Sequence, residues 1–333
     1  MNYRMIFKSI GTVLCIEAAC MLPSLLISFI YHEKAATSLI ISILITAVIG
    51  FVLSRIRASE SSIYARDGFA IVALSWILMS IFGAIPFVIS GVIPNFADAL
   101  FECASGFSTT GATILKEIES LPKSILFWRS FTHWVGGMGV LVFMIAILPS
   151  VKANTINILK AESPGPSPGK LVPKIHQTAE ILYIIYFVLT AIEVLLLIAG
   201  GMPLYDALIH AFGTAGTGGF SNRNANIAAY NSVYIDVVIT VFMLIFGINF
   251  TLYYTILKKN IKSALQDEEL RFYLGVVITA IILITFNIYG TVYHSIGESL
   301  RYASFHVSSI ITTTGFSTAD FNLWPRFSQV ILV

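Results

Sequence analysis

The sequence predicts an all-α integral membrane protein built from repeated pore units, each a helix, a re-entrant half-helix and a second helix, around an axis along the membrane normal. Three observations predict this. Hydrophobic residues make up 56% of the chain and charged residues only 11%, where a soluble domain carries about 25% charged residues, and the mean hydropathy is +0.84. Long apolar runs follow one another along the whole chain. Between them a short motif occurs three times, at Ser105 to Thr113, Gly213 to Ser221 and Ser308 to Ser317. Setting Gly111, Gly219 and Gly315 in register needs no gap and stacks Ala99/Ala207/Ala303, Phe101/Ile209/Phe305 and Thr109/Thr217/Thr313. A period of about a hundred residues is too long for a solenoid repeat and suits a repeated membrane unit.

The first apolar run, Ile10 to Ile30, follows Arg4 and Lys8 and is long enough to span a hydrocarbon core of about 30 Å at 1.5 Å per residue. It is too long for a signal peptide, lacks an Ala-x-Ala cleavage pattern and is followed at once by Ala36 to Leu53. Phe69 to Ile89, Ile125 to Leu148, Ala179 to Ala199, Val233 to Leu257 and Phe272 to Tyr289 complete the predicted spans. The three copies open with shorter apolar helices, Ala97 to Phe107, Tyr205 to Ala215 and Arg301 to Ile311, each only about 16 Å long. None can cross a bilayer. A short helix followed by Thr/Gly-rich, non-helical backbone is tolerated at membrane depth where it lines a watery path enclosed by protein, which makes these segments re-entrant.

Basic residues set the orientation. Arg4 and Lys8, Arg55, Arg57 and Arg66, Lys152, Lys160, Lys170 and Lys174, and Lys258, Lys259, Lys262 and Arg271 fall on one side and make up most of the twenty. The positive-inside rule puts that side, with the N-terminus, in the cytoplasm, so every half-helix enters from outside and the units run parallel. The proline-dense Ser163 to Gly169, inside the loop Val151 to Gln177, reads as a cytoplasmic connection, either a plain linker or a docking surface. Lys258 to Arg271 mixes both charges and reads as a solvated or interfacial helix end. A net charge of +2 without a dense basic run excludes a nucleic-acid surface. Cys15, Cys20 and Cys103 lie in apolar segments without ligand spacing and read as reduced packing residues.

Backbone carbonyls around an axis can replace the water shell of an alkali cation. Glycine reaches positive φ cheaply, and a β-branched residue does not, so the kink is expected at Gly111, Gly219 and Gly315. The half-helices aim their negative C-terminal ends at the path, which favours a cation. One Thr-Gly copy alone reads best as a helix C-cap in a packed loop; three copies in register favour the ion path. Gly213 to Gly219 is not a phosphate loop, because no Lys follows it and no strand precedes it.

Nine residues before each glycine stand Glu102, His210 and His306. They form a candidate three-ligand metal set, but with no local His-x-x-x-His pair the preferred role is hydrogen bonding to neighbouring helices. His133 and Trp134 read as packing residues, and Gly136, Gly137 and Gly139 as a face for close approach by a half-helix. Arg129 is expected to snorkel or to pair with Glu117 or Glu119. Asp98 and Asp206 are N-cap candidates, with an outer cation-attracting ring as the alternative.

Phe127 to Gly139 (FWRSFTHWVGGMG), with Ser108 to Thr113 (STTGAT), Thr217 to Ser221 (TGGFS) and Thr313 to Ser317 (TTGFS), resembles the TrkH branch of the Trk/Ktr/HKT potassium transporters along the length of the chain. The resemblance implies potassium uptake at the plasma membrane by a multi-pass protein without enzymatic activity or cofactor, potassium being the substrate. It implies four pore units with one filter glycine each, two extra helices before the first, a homodimer, and a cytosolic nucleotide-binding regulatory subunit (TrkA-like). Filter residues are then Thr109, Thr110, Gly111, Thr217, Gly218, Gly219, Thr313, Thr314 and Gly315. Three filter glycines match the pattern associated with potassium over sodium. On this reading residues 1–57 hold the two extra helices, 66–150 the first unit, 151–178 a cytoplasmic linker, 179–260 the second unit, 261–271 a second linker and 272–333 an incomplete third unit, the fourth being absent. The expectation is of a C-terminally truncated piece. The alternatives are a sodium or mixed-cation transporter, a metal-dependent membrane enzyme using Glu102, His210 and His306, and a non-transporting scaffold.

Overall fold

The computed structural model describes residues 2–57, 65–139 and 175–333. The end of the fourth predicted span and the proline-dense loop lie outside the described residues. The helices in chain order are α1 (Tyr3–Cys20), α2 (Leu22–Ile30), α3 (Ala35–Ser54), α4 (Ala65–Ile89), α5 (Phe96–Phe107), α6 (Lys123–Gly137), α7 (Ile175–Ala199), α8 (Leu204–Ala215), α9 (Val233–Phe246), α10 (Phe250–Leu257), α11 (Ile261–Leu265), α12 (Glu268–Ile288), α13 (Ile296–Ile311) and α14 (Arg326–Leu332). Among the described residues five helical spans are long and apolar enough to cross a membrane, and α9 with α10 makes a sixth if the bent pair is one span. Two compact units divide the chain: residues 1–108 with 112–183, and 109–111 with 184–333.

In the first unit, α1 and α2 form one span, broken at Met21 next to Pro23 at the start of α2. Its partner α3 buries Ser38, Ser42, Thr46 and Gly50, four residues apart and so on one face, while Leu44, Val48 and Val52 on other faces are exposed. Small residues inside and apolar residues outside are the pattern of a helix that meets lipid on one side and a packed helix on the other. The Ser42 hydroxyl donates to the Ser38 carbonyl at 2.7 Å and the Thr46 hydroxyl to that of Ser42 at 2.8 Å, so these two buried hydroxyls are satisfied within the helix. Gly11 and Gly50 are where α1 and α3 touch. A Cβ on Gly11 would overlap Ser54 N and Gly50 O, and one on Gly50 would come within 2.8 Å of Cys15 N. Both obstacles are backbone, so neither yields. Gly11→Val should therefore cost about 1–3 kcal/mol by overpacking, visible as a lower unfolding temperature in detergent, whereas Val48→Ala on the exposed face should leave it unchanged.

The predicted half-helices are present. α5 and α8 begin one residue before the expected starts, and α13 begins at Ile296, five residues before the expected start at Arg301. Its first turn is polar, with Ser295 as the preceding residue and Glu298 and Ser299 following, and an apolar criterion passes over it. The sixth predicted span departs more. Val233 to Leu257 is not one straight helix: α9 and α10 meet at a 91° bend across Gly247-Ile248-Asn249. Asn249 accepts from Thr251 N at 3.1 Å and caps the new helix, so the chain gains a fresh N-terminus at the turn. A Cβ on Gly247 would stand 2.8 Å from both Thr312 Cγ2 and Tyr273 Oη, which places the bend directly against the residue before Thr313.

Asp267, in the charged connection, accepts from Leu270 N at 3.0 Å and caps α12.

Candidate ion-selectivity site

Each half-helix ends immediately before its Thr-x-Gly. Thr109, Thr217 and Thr313 have φ of 54°, 53° and 59°, and Gly111, Gly219 and Gly315 have φ of 74°, 74° and 80°. The middle residues, Thr110, Gly218 and Thr314, stay outside the positive-φ region. Three copies with different neighbours thus adopt one backbone path. The kink expected at the glycines is present. The threonines also take positive φ, which the sequence reading assigned to glycine alone. A β-branched residue there is a true outlier, worth about 1–3 kcal/mol of strain, of the kind concentrated at ligand clamps.

Local hydrogen bonds explain how a threonine is held there. Thr217 N donates to Thr214 O at 3.0 Å and Gly218 N to Gly213 O at 2.9 Å. This pair of bonds is a Schellman motif with Thr217 in the left-handed position usually given to glycine. In the third copy Thr313 N donates to Ile310 O at 3.0 Å and Gly315 N to Ser309 O at 3.2 Å. The helix C-cap that a single copy suggested is therefore real, and the site begins where the cap ends.

Beyond the cap the copies meet in chain order. A Cβ added to Gly111 would overlap the carbonyl oxygen of Gly218, and one added to Gly219 would overlap that of Thr314. Around Gly315, among the described residues, no atom beyond its own chain neighbours lies within 4 Å of the corresponding position. At the first two junctions glycine is required twice over, by φ and by the carbonyl of the next copy. The carbonyl oxygens of Gly218 and Thr314 thus face the glycine of the preceding copy, just beyond the C-terminal, partly negative ends of the half-helices.

Glu102, His210 and His306 sit three residues further back than Ser105, Gly213 and Ser309, and all three tie down the segment that leaves the site. Glu102 accepts from the Thr113 hydroxyl at 2.8 Å and Ile114 N at 3.0 Å. His210 Nε2 lies 2.9 Å from Ser221 Oγ, and His306 Nε2 lies 2.9 Å from the Ala319 carbonyl. The bonds of His210 and His306 thus run within their own copy, whereas Glu102 also accepts from Arg129 on the neighbouring helix α6, as expected of these positions. Among the described residues no group of three His, Cys, Asp or Glu side chains is placed to hold a metal ion.

Three further expectations change. Arg129 is buried, and its Nε donates to Glu102 Oε1 at 2.6 Å, the two side chains being 2% and 0% exposed. Sequence spacing did not suggest this partner, 27 residues away. Asp98 does not cap α5; Asn95 does, accepting from Ala97 N at 2.8 Å. Asp206 lies inside the first turn of α8 and gathers the segment that follows the second Thr-x-Gly copy, accepting from Asn222 Nδ2 at 2.7 Å, Tyr230 Oη at 2.7 Å and Arg223 at 3.2 Å. Burial, with the bond to Asp206, pushes the Tyr230 phenol above its ordinary value. The face at Gly136 behaves as expected, since a Cβ there would overlap the carbonyl of Phe107 at the end of α5.

The family model for TrkH, described as a cation transport protein, matches residues 32–333. The Trk system potassium uptake protein TrkH of Halomonas elongata is 36% identical over 329 residues, covering 98% of this chain and 68% of the relative. The protein of the same name from Salmonella typhimurium is 36% identical over 339 residues, covering 100% and 70%. The crystal structure of the potassium transporter TrkH from Vibrio parahaemolyticus superposes with a TM-score of 0.88 at 31% identity, covering all of this chain and 69% of the other.

Proposed function

The chain belongs to the TrkH family of cation transport proteins, and from that premise we propose that it takes up potassium through a backbone-lined constriction formed by Thr109–Gly111, Thr217–Gly219 and Thr313–Gly315. It is a membrane transporter and not an enzyme, and potassium is its substrate, not a resident cofactor. One observation carries the assignment of the site: three Thr-x-Gly segments share one strained backbone path, and two of their glycines pack against a carbonyl of the next copy.

The chemistry follows from that arrangement. A potassium ion entering from outside loses water, and carbonyl oxygens held at the capped ends of the half-helices take its place. The half-helix C-termini add negative potential without an acidic ring. Because the strain is carried by the folded scaffold, the oxygens are in place before the ion arrives. Selectivity then depends on holding their spacing against the pull of a smaller ion.

Relatives are named as parts of a Trk system, so the chain works within a multi-component system. The finer reading is ours: residues 66–150, 179–260 and 272–333 are successive pore units after two helices in 1–57, with 151–178 and 261–271 as cytoplasmic connections. The N-terminus is cytoplasmic, the membrane is the plasma membrane, and the protein is a homodimer carrying a nucleotide-binding regulatory subunit beneath it.

The test is uptake of rubidium, a potassium stand-in, by a potassium-uptake-deficient bacterium expressing the gene product. Excess potassium should suppress it and the same excess of sodium should not. Equal suppression by both ions would overturn the potassium reading in favour of a mixed-cation transporter.

A further inference from the structure

We propose that Ser105 and Ser309 are positioning residues that hold the filter backbone, and that the second copy, which lacks this serine, uses the ring of Phe316 from the third copy instead. The three positions are in register: Ser105, Gly213 and Ser309 each stand six residues before a filter glycine. The Ser105 hydroxyl donates to the carbonyl of Ala112 at 2.6 Å, and the Ser309 hydroxyl donates to that of Phe316 at 2.7 Å. Ala112 and Phe316 are the residues directly after Gly111 and Gly315. Each serine thus joins the half-helix to the first carbonyl beyond the filter, and both serines are buried. Cap bonds fix the entry to the Thr-x-Gly, and this hydroxyl fixes its exit.

Gly213 cannot make that bond. A Cβ built on it would lie 3.1 Å from the Phe220 carbonyl, the equivalent acceptor, but 2.8 Å from Phe316 Cζ. The space of the missing side chain is occupied by the Phe316 ring, which is 2% exposed and also packs on the His210 ring at a centroid distance of 5.8 Å. His210 in turn holds Ser221. Phe316 is therefore shared: its carbonyl is held by Ser309 in the third copy, and its side chain wedges the second. A change at one copy is passed to the next through this residue.

The inference rests on the filter assignment above, and its test separates the two. Potassium and sodium uptake are measured for the gene product carrying Ser105→Ala, Ser309→Ala or Ser309→Thr, with Ser308→Ala and Gly219→Ser as comparisons. Ser308 is equally buried on the same helix, but its hydroxyl makes no bond to the filter. Losing one hydrogen bond that positions a carbonyl should lower the potassium-to-sodium ratio about fivefold in each alanine variant, with Ser308→Ala unchanged and Ser309→Thr, which keeps the hydroxyl, near the parent. Gly213→Ser should reduce uptake, and Phe316→Leu in the same chain should restore it by freeing the space. If both alanine variants keep the parental ratio while Gly219→Ser loses it, the filter reading stands and the serine role is overturned. If Gly219→Ser also keeps the ratio, both fall. Failure of Phe316→Leu to rescue Gly213→Ser overturns the role of the ring. Should Ser309→Ala not reach the membrane, Ser105→Ala carries the same comparison.

Discussion

Gly219→Ser should abolish discrimination between potassium and sodium while leaving the protein in the membrane. Two independent costs meet at this residue. Its φ of 74° lies in the left-handed region, where a non-glycine residue pays about 1–2 kcal/mol. Its Cβ would also overlap the carbonyl oxygen of Thr314, a backbone atom with no rotamer to escape into. The substituted chain relieves both by moving the carbonyl, and that carbonyl belongs to the Thr-x-Gly segment of the third copy, the proposed filter. Since about 1.4 kcal/mol is a tenfold change in an equilibrium, the potassium-to-sodium uptake ratio should fall by at least about tenfold. Uptake of each ion, normalised to the amount of protein in the membrane, is the measurement. An unchanged ratio would sink the filter assignment. Gly315→Ser should have the smaller effect in this chain, because it meets the cost of φ without the collision.

Arg129→Met should destabilise the protein by about 3–5 kcal/mol, since removing one partner leaves a buried charge uncompensated. The stranded group is Glu102, which also accepts from Thr113 and Ile114, so the loss reaches the segment leaving the first Thr-x-Gly copy. The expected readout is a lower unfolding temperature in detergent and reduced abundance in the membrane. Glu102→Gln combined with Arg129→Met should recover much of it, because the double variant buries no net charge and the amide still accepts from Thr113. A single variant as stable as the parent would show that the pair carries no such weight.

The contrast between these two residues shows how far the sequence reaches. Gly219 is legible because it recurs: three copies in register expose it without any knowledge of contacts. Arg129 is not, because an ion pair across 27 residues leaves no periodic trace, and local spacing pointed to Glu117 and Glu119. Asp206 misled for a related reason. Its place near a helix start suggests a cap, yet its carboxylate turns to Asn222, Arg223 and Tyr230. The bend at Gly247 to Asn249 sits in a run apolar enough overall to read as one span, where hydropathy counts residues but carries no angle.

By itself the sequence determined the membrane class, the short helices that cannot span, the register of the three copies and the glycines at their ends. These depend on composition and on local conformational cost, and each is written residue by residue. Only the tertiary structure decided that three threonines accept positive φ, that each of the first two glycines faces a carbonyl of the next copy, and that Phe316 occupies the space beside Gly213. Those are contacts between segments far apart in the chain, and their energies exist only once the helices that carry them have packed.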